Sequence, residues 1–271
     1  MNAPLPPALS KEAFRHLQDF MHRESGIRLP ASKSSMVISR LGRRVQQLGL
    51  PDFDAYCALI TSGFADEECE HVVNVLTTHE TYFFREPTHF DHLVAHALPA
   101  ITRRPLRVWC AASSSGEEAY SIAMCLANSL GSTGWEVLGS DISTQMLGMA
   151  ARGLYPMERL HNMPAHLLKE YCLRGTDSYE GSMLVSPLLR ERVRFTQHNL
   201  LDKPDGLGSF DVVFLRNVLI YFDDAGKRRI IDQVLQALRP GGWLYTGHAE
   251  SLLGMGLPLD PVQPAVYRKP G

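Results

Sequence analysis

The stretch RVWCAASSSGEEAYS, residues 107–121, constrains the fold of this chain more than any other segment. Residues 108–111 predict a short buried strand and Glu117 begins a predicted helix, which together form the unit that opens a nucleotide-binding parallel sheet. A dinucleotide fingerprint carries three glycines between strand and helix, so that a pyrophosphate can sit on the helix N-terminus. This loop has only Gly116, and two acids follow it at once. Because an acid in a low-dielectric pocket repels phosphate and attracts a cation, the loop favours a positively charged ligand.

Strand-like and helical stretches alternate after Pro105, whereas roughly the first 75 residues carry only helical periodicity. The sequence therefore predicts an α/β fold with a doubly wound, Rossmann-like sheet, preceded by an all-α N-terminal domain. A stretch rich in Gly, Ser, Pro and Tyr interrupts the alternation between Tyr155 and Arg192 and predicts a small insertion. The expected bounds are residues 1–76 for the all-α domain, 77–90 for a linker, 91–271 for the α/β domain, and about 157–192 for the insertion.

Composition and charge exclude several classes of protein. The formal net charge of −2 gives no global attraction to nucleic acid or to an anionic membrane. The five cysteines are scattered and odd in number, which argues against a disulfide framework and favours reduced thiols. The sequence has no secretory signal pattern and no run of about 18 apolar residues. We therefore expect a cytoplasmic protein that binds no nucleic acid and does not insert into a membrane.

Polar residues follow several predicted strands, and ligands of a doubly wound sheet bind at the carboxyl ends of its strands. Asp141 ends the second strand, where a carboxylate can accept both hydroxyls of a ribose. Asn199 and the pair Arg216-Asn217 follow two later strands. A nucleoside with ribose hydroxyls, a positive charge and no phosphate describes S-adenosylmethionine. The alternatives are structural, since Asp141 can cap the next helix and Asn199 can serve a turn.

Six motifs carry a resemblance to a known family. They are THETYFFRE (78–86), SSSGEEAYSIA (113–123), GSDIS (139–143), HNLL (198–201), FLRNVLIYFD (214–223) and LRPGGWLYTGHAES (238–251). Through them, and over almost its whole length, the chain resembles the CheR-type chemotaxis receptor methyltransferases, which methylate glutamate side chains of chemoreceptors. The resemblance implies an all-α N-terminal domain, a class I methyltransferase domain and a small antiparallel β-subdomain inserted in it.

The resemblance also implies a set of contacts to S-adenosylmethionine, several of them from the linker. The matching positions are His79, Thr81, Arg85, Glu117, Asp141, Asn199, Leu200, Arg216 and Asn217. One position departs from the pattern, because His79 stands where family members commonly have Asn. An imidazole can still donate or accept one hydrogen bond there.

The implied reaction explains why the sequence shows no constellation of nucleophile and base. A glutamate side chain, with a pKa near 4.3, is already an anion at pH 7, so that methyl transfer to it needs no general base. Catalysis then rests on alignment of the reacting groups in a dry site. We expect Arg85 to fix the substrate carboxylate and Tyr221 to line the methyl channel. The alternatives are an ion pair of Arg85 with Glu86 or with another acid nearby, and a role for Tyr221 as a core aromatic residue whose hydroxyl reaches solvent.

A basic segment in the N-terminal domain is a candidate surface for binding receptors. Residues 28–50 contain five basic residues and no acid. Because the methylation segments of chemoreceptors are long acidic coiled coils, we expect these helices to dock on Lys33, Arg40, Arg43 and Arg44. The alternative is an ordinary solvated helix face. The resemblance implies a second candidate, the inserted subdomain, which in part of the family captures a short aromatic and acidic peptide at the receptor carboxyl terminus by strand addition. The alternative is a structural edge without a tether.

Metal binding and two rival functions complete the predictions. His92 and His96 lie four residues apart, a spacing that can bind metal, with His89 nearby. We expect no metal, because the segment has the pattern of an ordinary amphipathic helix and contains no H-E-x-x-H motif. The rival functions are a methyltransferase of the same fold that acts on a small molecule or RNA, and a non-enzymatic signalling module that binds S-adenosylhomocysteine.

Overall fold

Four amphipathic helices make up most of the N-terminal unit of the computed structural model, which describes residues 7–160 and 162–271. This unit runs to Thr78 and includes Tyr221–Asp223. Its helices are α1 (Lys11–Ser25), α2 (Ser34–Gln47), α3 (Phe53–Thr61) and α4 (Asp66–Leu76), with a 3₁₀ turn at Ala31–Lys33. The side chain of Ser10 caps α1 by accepting the N–H of Ala13, and Gly26 ends the helix in the left-handed conformation.

The second unit, His79–Ile220 with Asp224–Gly271, is built on a seven-stranded sheet. Its parallel strands are β1 (Leu106–Ala111), β2 (Trp135–Asp141), β6 (Val193–Gln197), β7 (Phe210–Leu215) and β8 (Leu238–Thr246). The carboxyl-terminal strands β9 (Asp260–Gln263) and β10 (Val266–Arg268) complete it in the order β6-β2-β1-β7-β8-β10-β9, with β10 antiparallel to both neighbours. Since β2 and β7 flank β1 on opposite sides, the topological switch lies at the end of β1.

Helices cover this sheet and a small separate sheet is inserted between them. The helices are α5 (Thr88–His92), which continues through a π-helical turn (Leu93–Ala97) into α6 (Leu98–Ala100), α7 (Glu117–Leu130), α8 (Thr144–Arg152), α9 (Ala165–Tyr171), α10 (Pro187–Arg190) and α11 (Asp224–Ala237). The inserted sheet contains β3 (Leu154–Pro156), β4 (Cys172–Arg174) and β5 (Ser182–Val185), all antiparallel, in the order β3-β5-β4. It begins at Leu154, slightly before the predicted insertion.

The predicted fold class is confirmed, and one part of the sheet was not foreseen. The expected alternation of helices with buried parallel strands is present, because β1 and β7 are almost wholly buried apolar runs. The strands β9 and β10 were missed. All four residues of β9 are exposed, so this strand lacks the apolar pattern by which a strand is recognised. Within the described residues, no helix is long and apolar enough to cross a membrane.

Candidate active site

The loop between β1 and α7 adopts a tight conformation that includes several left-handed residues. The N–H of Ser113 donates to the carbonyl of Ser140 at 2.8 Å, which ties the loop to the end of β2. Ala112 and Ser114 have φ angles of 61° and 49°, and Gly116, immediately before α7, has a φ of 97°. Residues other than glycine rarely adopt positive φ angles, because these angles cost free energy. Such angles are kept where surrounding contacts hold the backbone in place, and they are often found at functional sites.

Asp141, at the carboxyl end of β2, braces this loop. Its Oδ2 accepts the N–H of Ser114 at 2.8 Å and its Oδ1 accepts the N–H of Ser143 at 2.9 Å. The side chain is buried, and burial raises the pKa of Asp141 against the opposing effect of these two bonds. A carboxylate has about four acceptor positions, so that each oxygen can still accept a hydroxyl. The cap of α8 is Ser143, whose hydroxyl accepts the N–H of Met146, so that the alternative of Asp141 as the helix cap was wrong. Asp141 braces the loop after β1 and retains acceptor positions for a ribose.

Arg216 follows β7, and two carboxylates bind its fully buried guanidinium. Nη1 donates to Oε2 of Glu118 at 2.7 Å, and Nη2 lies 3.0 Å from Oε2 of Glu86. Burial raises the pKa of Glu118 against the opposing effect of Arg216. Burial alone would also raise the pKa of Glu86, but Arg216 and Asn217 hold it below its usual value. Two carboxylates thus face one guanidinium, and the surplus acidic group suits a cationic ligand.

Asn217 connects this cluster to the loop after β8. Its φ is 56°, its N–H donates to Oε2 of Glu250 at 2.7 Å, and its side-chain amide donates to Oε1 of Glu86 at 3.2 Å. The same oxygen of Glu250 accepts the N–H of Gly247 at 2.8 Å. Arg216 and Asn217 are therefore held on both sides by carboxylates that the sequence analysis did not select.

The segment that begins at His79 is anchored by aromatic residues. Phe83 and Phe84 are buried in the core of the α/β unit, and the N–H of Phe84 donates to the hydroxyl of Ser121 on α7 at 3.0 Å. The carbonyl of His79 accepts the hydroxyl of Ser114 at 3.1 Å, and its imidazole lies close enough to Asp141 to lower the pKa of that carboxyl group in part. The structure thus brings His79 to the loop after β1.

Arg85, predicted to be catalytic, donates its side-chain hydrogen bond to a main-chain carbonyl. Its Nη1 donates to the carbonyl of Glu80 at 2.9 Å, and its guanidinium carbon lies 5.7 Å from the ring centroid of Tyr82. Glu86 is engaged by Arg216 instead. The suggested ion pair between Arg85 and Glu86 is therefore not present among the described contacts, and Arg85 as a residue is partly buried.

Glu117, the predicted acidic contact, is engaged elsewhere. It is fully buried, its Oε1 accepts Nη1 of Arg159 at 2.6 Å, and its Oε2 accepts the hydroxyl of Ser115 at 2.7 Å. Neighbouring helix positions point about 100° apart, which is why Glu118 faces Arg216 while Glu117 faces Arg159. Glu117 stays a prediction as a cofactor contact, but Glu118 is the acid of α7 that adjoins the ends of β1 and β7.

The remaining predicted site residues have varied surroundings. Asn199 follows β6, its Oδ1 accepts the N–H of Leu201 at 3.1 Å, and Leu200 beside it is buried. Thr81 is half-buried in the segment that begins at His79. Tyr221 belongs to the N-terminal unit, where its carbonyl accepts the N–H of Arg28 at 3.1 Å.

Two of the four predicted docking residues have internal partners in the N-terminal unit. Nη1 of Arg40 donates to the carbonyls of Val75 at 2.9 Å and Thr77 at 2.8 Å, near the end of α4. Arg44 binds the buried carboxylate of Glu68 with two nitrogens, at 2.6 to 3.1 Å. The other two, Lys33 and Arg43, are exposed.

Two family models match this chain. The CheR methyltransferase SAM binding domain matches residues 79–264, and the CheR methyltransferase all-alpha domain matches residues 12–77. A crystal structure of the glycopeptide N-methyltransferase MtfA complexed with S-adenosyl-L-methionine aligns with 65% of this chain and 58% of that chain, at 21% identity and a TM-score of 0.35.

Curated relatives span most of the chain. The chemotaxis protein methyltransferase of Escherichia coli is 42% identical over 249 residues, which are 90% of this chain and 86% of that protein. Chemotaxis protein methyltransferase 2 of Pseudomonas aeruginosa is 40% identical over 262 residues, which are 95% of this chain and 93% of that protein. The resemblance that the motifs indicated is thereby confirmed, as is the expected S-adenosylmethionine cofactor. With both domain models matched and such relatives along its length, the chain belongs to the CheR methyltransferase family.

Proposed function

We propose that this S-adenosylmethionine-dependent methyltransferase esterifies glutamate side chains of chemoreceptors in the cytoplasm. The carboxyl edge of the sheet carries the proposal. Glu118 places an acid in the first turn of α7, where nucleotide-binding folds hold phosphate, and buried Asp141 ends β2, where a carboxylate can accept ribose hydroxyls. This pair suits a cationic nucleoside. This edge belongs to a chain that is 40% or more identical to two proteins named chemotaxis protein methyltransferases.

The reaction requires alignment more than proton transfer. The cofactor supplies an electrophilic methyl group on its sulfonium, and the substrate carboxylate is already the nucleophile at pH 7. The residues of the chain then have to bind, orient and exclude water. Correct positioning of two reactants can supply about 7 to 11 kcal/mol of the barrier reduction, which is sufficient for catalysis without a general base.

The proposed cofactor contacts divide by the group that they bind. Asp141 accepts the ribose hydroxyls, because a carboxylate has about four acceptor positions and the N–H groups of Ser114 and Ser143 do not fill them. Glu118 attracts the cationic part of the cofactor, in place of Glu117, and Arg216 orients Glu118 through the bond at 2.7 Å. The further proposed contacts are those predicted from the motifs: His79, Thr81, Arg85, Asn199, Leu200 and Asn217.

Calorimetric titration of the cofactor analogue S-adenosylhomocysteine distinguishes the two adjacent acids. Glu118→Gln should weaken binding at least tenfold, which is about 1.4 kcal/mol. Glu117→Gln should leave the affinity nearly unchanged and lower only the melting temperature, because it weakens the pair with Arg159. The opposite pattern would return the cofactor role to Glu117.

Arg85 and Tyr221 are proposed to act on the substrate, Arg85 by fixing its carboxylate and Tyr221 by lining the path of the methyl group. Arg85→Ala and Tyr221→Phe should then each lower kcat. For Tyr221→Phe, the affinity for the cofactor should change little. An unchanged kcat in both variants would remove the two assignments. Circular dichroism of each variant controls for loss of structure.

The first experiment is transfer of labelled methyl from S-adenosylmethionine to membranes that carry the organism's chemoreceptors. Label on the receptor that mild base releases as methanol identifies a glutamyl ester and supports the proposal. Base-stable label, or label on RNA or a small molecule, would favour the rival enzyme. Tight cofactor binding with no transferred label would favour the signalling module.

We further propose that the methylation helices of the receptor dock on the exposed basic residues of the N-terminal unit, Lys33 and Arg43. Arg40 and Arg44 contribute charge, but each also holds its own unit together through α4. Reversing the charge of those two would therefore disturb folding as well as docking. Lys33 and Arg43 provide the cleaner test.

The double variant Lys33→Glu with Arg43→Glu should raise KM for the receptor at low salt and leave kcat unchanged. The KM of the unaltered protein should rise with salt toward that of the variant, because exposed charges are screened. Arg15→Glu, an exposed reversal on α1, is the matched control. A KM that responds neither to salt nor to the double variant would overturn this docking surface.

The inserted sheet carries a groove that suits an acidic and aromatic peptide, and we propose that it captures the receptor carboxyl terminus. The groove has a volume of about 540 Å³ and lies along β4, an edge strand. Leu173 and Tyr179 expose 52% and 56% of their surface, which provides an apolar floor. Arg152, Arg174 and Arg190 line it and provide positive charge.

Peptide binding is measured by calorimetry with a synthetic peptide of the receptor carboxyl terminus. Arg174→Glu should weaken binding at least tenfold and leave cofactor affinity unchanged. Arg194→Glu, an exposed reversal on β6, is the control. Equal affinity of both variants, or no binding by the unaltered protein, would show that the groove is a structural edge without a tether.

A further inference from the structure

A group of three potential metal ligands lies beside the Arg216 cluster. One ligand atom each of Glu86, His89 and His248 lies within 4.8 Å of the others. The residues come from two distant segments, 86–89 and the loop after β8. A search for metal ligands at helical spacing, which drew attention to His92 and His96, cannot find them. His92 is engaged elsewhere, since its Nδ1 lies 2.9 Å from the hydroxyl of Tyr245.

The distances within the group approach those of a metal centre. Nδ1 of His89 lies 3.5 Å from Oε2 of Glu86, and Nε2 of His248 lies 3.9 Å from the same oxygen. Ligands about 2.0 to 2.2 Å from a tetrahedral zinc ion are about 3.4 Å apart. His248 is half-exposed and can rotate toward the ideal distance.

The burial of His89 provides an independent observation. Its side chain is fully buried, and among the described residues neither of its ring nitrogens has a hydrogen-bond partner. Oε2 of Glu86, the oxygen nearest to His89, has Nη2 of Arg216 at 3.0 Å. A neutral imidazole of this kind can act as a metal ligand. A buried polar group without a partner is costly, and a bound cation would satisfy the ring of His89.

Glu86 is not the only anionic partner of Arg216, because Arg216 also pairs with Glu118 at 2.7 Å. Glu86 can therefore be shared. The loop that carries His248 is also fixed, since Glu250 accepts the N–H groups of Gly247 and Asn217. A site of two imidazoles and one carboxylate with an open fourth position is typical of zinc. We propose that Glu86, His89 and His248 bind one divalent transition metal ion of the zinc class.

The test is zinc titration of the chelator-treated, untagged full chain, with a competing zinc indicator as the probe. The unaltered protein should bind one Zn²⁺ in this assay, and His248→Ala should weaken binding at least tenfold. His96→Ala is the matched control, since His96 is also exposed and tests the alternative pair with His92. It should leave the affinity unchanged.

Cobalt substitution gives a second readout. Co²⁺ should produce a visible absorption band of four-coordinate geometry in the unaltered protein and in His96→Ala, and no such band in His248→Ala. Binding that is lost in His96→Ala and kept in His248→Ala, or no bound Zn²⁺ in the unaltered protein, would overturn the assignment. Because metal binding is measured directly, its absence would leave the methyltransferase function untouched.

Discussion

Replacement of Arg216 by methionine would test how far the α/β unit depends on its buried charge cluster. Methionine approximates the length of arginine and removes only the guanidinium. Glu118 and Glu86, whose side chains are 13% and 15% exposed, would lose their common partner. Removal of one member of a buried pair costs about 3 to 5 kcal/mol, because a charge remains uncompensated. Since Glu86 keeps its bond to Asn217, we expect the lower end, about 3 kcal/mol.

The loss should depend on pH in a defined direction. In the unaltered protein Arg216 contributes to a pKa of Glu86 that lies below its usual value. A depressed carboxyl pKa contributes stability that is present above the pKa of the unfolded state and is lost as the pH falls through the folded pKa. Without Arg216, burial would raise the pKa of Glu86 and of Glu118. The difference in stability between the two proteins should therefore be largest near neutral pH. It should narrow as the pH falls through the raised carboxyl pKa values of the variant toward the lowered pKa of Glu86 in the unaltered protein.

Thermal unfolding followed by circular dichroism measures both effects. A loss of about 3 kcal/mol corresponds to a fall in Tm of roughly 6 to 12 °C for a domain of this size. Arg194→Met, a change of an exposed arginine on β6, is the control and should cost less than about 0.5 kcal/mol. A loss below about 1 kcal/mol at pH 7, or a loss that is the same at pH 7 and pH 4, would refute the view that Arg216 compensates two buried carboxylates.

Three further changes test other parts of the chain. Asp141→Asn should weaken S-adenosylhomocysteine binding at least tenfold in calorimetry, since the amide group has one acceptor oxygen for two backbone donors and a ribose; an unchanged affinity would contradict the ribose assignment. Gly116→Ala should lower stability by about 1 to 3 kcal/mol in urea unfolding, because its φ is 97° and the new Cβ would lie 2.8 Å from Cβ of Ala150. Tyr56→Phe removes the hydroxyl that donates to Glu68 at 2.7 Å and should lower the free energy of unfolding by about 1 to 3 kcal/mol in the same assay. An unchanged stability would show that Arg44 alone is sufficient to stabilise the buried carboxylate of Glu68.

The fold was accessible from the sequence wherever burial leaves a periodic pattern. β1 and β7 are apolar along almost their whole length, and α1 and α2 bury apolar residues at helical spacing. The same principle explains the failure at β9, whose residues are all exposed. This edge strand is held by main-chain bonds to β10, which any sequence can form, so its side chains carry little information.

The candidate site was accessible only in part, because the sequence shows which residues are polar and not which of them meet. Asp141 was found from its position at a strand end, and that position follows from the strand pattern alone. The pairing of Arg216 with Glu118 and Glu86 joins three segments, and local spacing does not encode it.

The two acids at the start of α7 show where inference from sequence alone stops. Both are favoured there by the helix dipole, so composition and position cannot separate them. The helix turns by about 100° per residue, so the side chains of Glu117 and Glu118 point in different directions. This difference assigns a role to each acid only when the cation that each one faces is known. Arg159 reaches Glu117 from the inserted subdomain and Arg216 reaches Glu118 from the end of β7. Glu117 thereby connects α7 to the inserted subdomain, while Glu118 lies at the carboxyl edge of the sheet, where a class I methyltransferase binds its cofactor.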